Sequence, residues 1–255
     1  MRRIISIANQ KGGVGKTTTA AALSVLLART GQPVHMLDMD PQASLTNAFG
    51  ISDPEGRLYE AMSFRRALPV ERITENLTIT PSSIDLARGE TQFVAETARE
   101  YLLKSCLQKS DIPEDATVII DSPPSLGVLA VNCLTAAHGL VVVVKPGGFE
   151  LRALAHLEEV IQILREQVNP DLGILGAVIT DCHARRSITG QVETELARLY
   201  PVLGRVRSEA ALLYATTEGR VLELTKSAAL DDYAAVLERL MNGAPATLEV
   251  EPCLN

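Results

Sequence analysis

The segment NQKGGVGKTTT, residues 9–19, sets two lysines, Lys11 and Lys16, around Gly12, Gly13 and Gly15. It follows the β-branched run RRIISIA (2–8) and leads into TTTAAALSVLLARTG (17–31), which is rich in helix formers and closed by Gly31. Strand, glycine turn and helix aim successive backbone N–H groups and the positive end of a helix at one point. There a polyphosphate can replace water as hydrogen-bond partner. The cradle is expected from Gly12, Gly13, Val14, Gly15, Lys16, Thr17 and Thr18, with the Lys16 ammonium on the β and γ phosphates and the Thr17 hydroxyl on Mg2+. A phosphate loop needs only the lysine at its end, so Lys11 requires a separate explanation. The ordinary pattern G-x-x-x-x-G-K-[ST] is also not met, because Gln10 stands where its first glycine belongs.

Elements able to position such a loop recur along the chain. PVHMLDMD (33–40) reads as a second strand with Asp38 and Asp40 on one face of its C-terminal end. ATVIIDSPP (116–124), GLVVVVKP (139–146) and ILGAVITD (174–181) are further apolar runs that end in polar residues. Continuous apolar runs of this kind mark a parallel sheet covered on both faces. Residues 150–170 form an amphipathic helix with Leu151, Leu154, Leu157, Ile161 and Leu164 as its core stripe, and residues 227–241 form a last helix capped by Ser227. Residues 50–110 mix helix-like and short strand segments. No linker rich in Pro, Gly or Ser divides the chain and no internal repeat is visible. The fold class is α/β: one P-loop domain over residues 1–241 with a mostly parallel central sheet flanked by helices, followed by a frayed tail over 242–255.

Composition narrows the function classes. The 255 residues are 46% hydrophobic and 22% charged, which fits a globular chain rather than a disordered one. The longest apolar region (128–144) is interrupted by Asn132 and His138, so no membrane helix is expected, and no signal peptide is visible at the N-terminus. The protein is expected in the cytoplasm. Cys106, Cys133, Cys182 and Cys253 are dispersed, without C-x-x-C spacing, and read as reduced, inert thiols. The net charge of −7 argues against a wholly basic surface, so any contact with DNA must be a local patch.

K-G-G-x-G-K-T resembles the deviant Walker A loop of the ParA/MinD family, in which the early lysine is the signature. LDMDPQASLTNAFG (37–50) is similar to that family's second motif, VIIDSPPSLGVLAVNCLTAA (118–137) to its Walker B segment, and NPDLGILGAVITD (169–181) to its later strand. The DSPPSLG segment looks most like the short, Soj-type partition ATPases. The resemblance implies ATP and Mg2+ as cofactors and a homodimer in which Lys11 reaches across to the partner's ATP, as an arginine finger does elsewhere. It gives Asp40 the role of orienting or activating the attacking water, Asp121 that of holding Mg2+ through water, and Asp181 a place near the adenine. Asp38 is either a group close to the Mg2+ or a plain strand-end acid.

In short relatives the ATP-bound dimer binds duplex DNA without sequence preference. A ParB-like activator bearing a basic peptide stimulates hydrolysis and releases it, so the protein is expected on the nucleoid. Arg185, Arg186, Arg205, Arg207 and Arg220 are the candidates for phosphate contacts. Asp181, Glu193, Glu195, Glu209 and Glu218 are interleaved with them and with Arg198, so a solvated mixed face is the alternative. Two departures stand out. The I-P-R-x-x-R-L-x-E-A-P segment of many relatives is replaced by VRSEAALLYATTEG (206–219), and Lys145 stands where a neutral polar residue is more usual. Competing functions are positioning of a protein cargo, a MinD-like membrane cycle and metabolic or cluster-inserting chemistry. The tail after Met241, with Glu249 and Glu251 and no cation, disfavours the membrane, and the dispersed cysteines disfavour the cluster.

Overall fold

The computed structural model describes residues 2–52, 54–146, 151–182 and 188–242. Its strands are β1 (Arg3–Ala8), β2 (Val34–Asp38), β3 (Glu71–Arg72), β4 (Leu77–Thr80), β5 (Thr117–Asp121), β6 (Gly139–Val144), β7 (Gly173–Cys182) and β8 (Val202–Arg207). Its α-helices are α1 (Lys16–Arg29), α2 (Ser44–Ala48), α3 (Arg57–Ser63), α4 (Gly89–Gln92), α5 (Leu102–Lys109), α6 (Val128–Ala136), α7 (Leu151–Gln167), α8 (Ile188–Leu196), α9 (Ala210–Thr217) and α10 (Ala228–Asn242).

The strands form one sheet in the order β3-β4-β2-β5-β1-β6-β7-β8, antiparallel only at β3–β4. Alternate residues of the central strands feed two separate cores. Val118 and Ile120 of β5 join Leu103, Leu129, Leu157 and Leu196 from the α5–α8 side, whereas Ile119 joins Leu23, Leu212 and Val236 from the α1–α9–α10 side. Burial on both faces explains why these strands read as continuous apolar runs. Leu157, Ile161 and Leu164 of α7 enter the first core as expected; Leu151 and Leu154 lie where only the backbone is described. The Ser227 hydroxyl accepts the Leu230 N–H at 3.1 Å, which makes it the expected cap of α10.

Three expectations are corrected. The second strand ends at Asp38 rather than Asp40, because the Asp38 carboxylate accepts the Asp40 N–H at 3.2 Å and turns the chain there. The two acids therefore do not share a strand face. β8 was not expected, since Gly204, Arg205 and Arg207 interrupt its apolar run. The last helix extends to Asn242, and residues 243–255 lie outside the described residues.

Buried His35 on β2 ties that strand to β4. Its Nε2 lies 3.0 Å from Thr80 Oγ1 and its Nδ1 lies 2.9 Å from Thr78 Oγ1. Thr80 donates its own proton to the Pro69 carbonyl at 2.6 Å, so Nε2 carries the imidazole proton and Nδ1 accepts from Thr78. Burial, with a smaller push from Arg2, lowers the His35 pKa to about 3. The folded state thus takes up this proton later than the unfolded chain, and stability falls as pH drops from about 6.5 towards 3. In urea titrations the wild-type protein should lose about 1.4 kcal/mol per pH unit relative to His35→Gln below pH ~6.5. The comparison cancels the titration of the carboxylates. A pH-independent difference would contradict a neutral buried imidazole.

Candidate functional site

The glycine loop joins the carboxyl end of β1 to α1 and is braced from three sides. Asn9 donates its side-chain amide to the Val143 carbonyl at 2.6 Å and accepts the Lys11 N–H at 2.9 Å, which fixes the start of the loop against β6. Gly13 (φ 71°) and Gly15 (φ 93°) take left-handed conformations that a side chain would strain. Thr180 of β7 donates its hydroxyl to the Val14 carbonyl at 2.6 Å. Helix α1 begins with no side-chain cap and no acid in its first turn, so its N–H groups are left for an anion. Lys11, Gly12 and Gly13 are exposed, whereas the residue Lys16 is only 7% exposed.

The Lys16 ammonium donates to the Lys11 carbonyl at 3.3 Å. Burial lowers its pKa, opposed by Asp121 and Asp40. Asp121 ends β5, in register with Ile7 of β1 on one side and Asp38 of β2 on the other. It is fully buried, and among the described residues no group meets its carboxylate oxygens at full hydrogen-bond geometry, the Thr17 hydroxyl being the neighbour close enough to act on them. Burial and then the neighbouring Asp38 hold its pKa well above the usual carboxylate range; the Thr17 hydroxyl and Lys16 pull it down. Two buried carboxylate oxygens beside the Thr17 hydroxyl, short of full hydrogen-bond partners, have the hard-oxygen chemistry that suits Mg2+.

Asp38 is also fully buried but is fully engaged. Oδ2 accepts the Thr46 N–H at 2.8 Å and the Thr46 hydroxyl at 2.7 Å, while Oδ1 takes the Asp40 N–H. Thr46 in turn accepts the Ser82 N–H at 2.9 Å. Burial raises the Asp38 pKa to about 6 even against these bonds. These bonds make Asp38 the organiser of the 39–46 turn that carries Asp40. Asp40 is half-buried, accepts the Gln42 N–H at 2.9 Å and lies close enough to Lys16 to act on its charge. Glu90 holds the loop after Asp121: its carboxylate takes the Ser125 hydroxyl at 3.2 Å and the Val128 N–H at 3.0 Å.

Asn9, Thr46, Glu90 and Thr180 escaped the sequence analysis. Only Asn9 carried a local signal, its position directly before the loop; the others act on residues distant in the chain. Lys145, unexplained from sequence, pairs with Asp181, Nζ to Oδ2 at 2.8 Å. Among the candidate arginines, Arg205 pairs with Glu193, Arg207 forms a two-pronged pair with Asp232 at 2.7 and 2.8 Å, and Arg220 lies 3.6 Å from Glu218. Arg185 and Arg186 lie outside the described residues. Helix α9, in the altered arginine segment, instead exposes Leu213 and Tyr214. No described helix is long and apolar enough to cross a membrane.

The family model of the AAA domain matches residues 2–174. The sporulation initiation inhibitor protein Soj of Bacillus subtilis is 37% identical over 205 residues, covering 78% of this chain and 81% of that protein. This chain belongs to the ParA/MinD family, in its Soj-type branch. The chromosome partitioning protein ParA of Myxococcus xanthus is 35% identical over 201 residues, 76% of this chain and 70% of that one. A crystal structure of cobyrinic acid a,c-diamide synthase from Mycobacterium smegmatis with bound ATP analog and magnesium is 33% identical, superposes with a TM-score of 0.76 and covers 91% of each chain. The chain is thus a ParA-like P-loop ATPase with ATP and Mg2+ as its cofactors.

An unpartnered buried carboxylate costs stability that a bound cation restores. At pH 8 and without magnesium, Asp121→Asn should melt about 2–4 °C above wild type, the shift for ~1 kcal/mol in a domain of this size. It should also lose the further rise that Mg2+ and ATP give the wild-type protein. A variant that keeps this rise would remove Asp121 from the cation site.

Proposed function

We propose that the protein is an ATP-dependent dimerising ATPase that binds DNA without sequence preference and drives plasmid or chromosome partition, with hydrolysis stimulated by a ParB-like activator. The observation that carries this reading is the exposed Lys11 standing ahead of an uncapped helix, a buried Lys16 and an orphaned Asp121. An exposed lysine at the rim of the phosphate loop is placed to serve a site on a second copy. The likeness to Soj and to a chromosome partitioning ParA supports the biological setting. In this account residues 1–241 form the ATPase unit, located in the cytoplasm on the nucleoid.

In this account the labour divides among the loop, the strand ends and the second copy. The N–H groups of Gly12–Thr18 and the Lys16 ammonium hold the phosphates, and Thr180 and Asn9 keep the loop in shape for them. Asp121 and Thr17 hold Mg2+, which when bound neutralises charge on the phosphate oxygens. Asp40 orients the attacking water, its backbone set by Asp38. Lys11 of the second copy stabilises charge developing on the transferred phosphoryl group. Asp181 lies on the adenine side. Hydrolysis is slow until the activator completes this arrangement.

For DNA, Arg205, Arg207 and Arg220 have to exchange their acidic partners for phosphates, while Arg185 and Arg186 are the remaining candidates. The acid pairing favours a second reading, in which the same ATP cycle positions a protein cargo. Binding of an arbitrary duplex at two salt concentrations separates the two. The partition cycle predicts binding with ATP alone, falling steeply with salt and absent in Lys16→Ala, with Asp40→Ala remaining bound after wild type has hydrolysed its ATP. ATP-driven dimerisation without duplex binding in any nucleotide state would contradict the DNA cycle and leave the cargo reading.

A further inference from the structure

Lys145 and Asp181 face each other at the carboxyl ends of adjacent strands, where β6 and β7 run in register up to Val144 and Ile179. In the sheet order, β5 and β2, which carry Asp121 and Asp38, lie on one side of β1, and β6 and β7 lie on the other. A nucleotide seated on the β1–α1 loop with its terminal phosphate towards Asp121 extends its nucleoside end towards β6 and β7. Ligands of open parallel sheets occupy this crevice beyond the carboxyl ends, where the connections diverge.

An acid at that position is unfavourable for ATP. The site already contains Asp38, Asp40 and Asp121, the whole chain carries −7, and ATP brings several negative charges more. Asp181 is also tightly placed, with a left-handed backbone (φ 51°) directly after Thr180, whose hydroxyl holds the Val14 carbonyl of the phosphate loop. The Lys145 side chain is 43% exposed and that of Asp181 27%, so the pair sits at the mouth of the crevice, not in the core.

We propose that Lys145 is a positioning residue for ATP binding that acts through Asp181, neutralising an acid that would otherwise repel the polyphosphate. This rests on the assignment of the loop as the ATP site. It also gives Lys145 a reason to depart from a neutral residue, since a carboxylate at residue 181 calls for a cation beside it.

The test is titration of a fluorescent ATP analogue into full-length wild type, Lys145→Met, Lys145→Arg, Asp181→Asn and the Lys145→Met/Asp181→Asn double variant at low and high salt, with melting temperatures measured alongside. Lys145→Met should weaken binding about fivefold or more at low salt and by less at high salt, because salt screens an exposed charge. Lys145→Arg should bind as wild type, and Lys145→Met should lose much less when made in Asp181→Asn than when made in wild type. A purely structural strut would instead leave the double variant as weak as Lys145→Met, with no dependence on salt; that result, or unchanged binding by Lys145→Met, overturns the proposal. Lys16→Ala separates this from failure of the site itself: loss of binding there while Lys145→Met binds normally refutes only the role of Lys145. Normal binding by Lys16→Ala refutes the ATP site.

Discussion

The structure depends on charge buried from the surface at the carboxyl ends of β1, β5 and β2. Asp121 is buried with only the Thr17 hydroxyl near its oxygens among the described residues, Lys16 is buried beside it, and Asp38 is its register neighbour. Such a cluster is costly in an apolar interior unless a ligand supplies the missing partners. The two cores on either face of the sheet provide the hydrophobic stabilisation that makes the arrangement tolerable. The uncapped N-terminus of α1 and the buried carboxylate of Asp121 are complementary features, one suited to an anion and the other to a cation. A magnesium nucleotide satisfies both.

Around this cluster, polar side chains link the site to the rest of the molecule. Asp38 binds Thr46, and Thr46 binds the Ser82 N–H, so the turn carrying Asp40 is tied to the start of α2 and to the segment after β4. Thr180 and Asn9 tie the phosphate loop to β7 and β6. Glu90 ties the loop after Asp121 to the N-terminus of α6. A change in the charge of the site is therefore felt along four separate connections. This is the physical basis on which occupancy by nucleotide can alter the surfaces that the proposed function assigns to a second copy, DNA and an activator.

Much of this was legible from sequence because it is local. The glycine loop, the apolar strand runs and the Ser227 cap each depend on residues close together in the chain, and their spacing carries the geometry. What escaped depends on contacts between distant residues. β8 was missed because Gly204 and two arginines disguise a strand that packs on only part of its length. Asp40 was placed on a strand face because the bond from its N–H to Asp38, which ends the strand, has no signature in an apolar pattern. The mixed face around residues 181–220 was recognised as near balance, but the acid that engages Arg207 most fully, Asp232, lies outside that stretch on α10. Lys145 likewise had no meaning until β6 and β7 brought it to Asp181.

The central claim is that these strand ends form one Mg·ATP site, and calorimetric titration of ATP in the presence of magnesium or of EDTA tests it most directly. The account predicts one nucleotide per chain, bound at least about tenfold more tightly with magnesium, a difference of ~1.4 kcal/mol. Equal affinity in magnesium and EDTA would contradict it, because the orphaned Asp121 would then have no cation to hold.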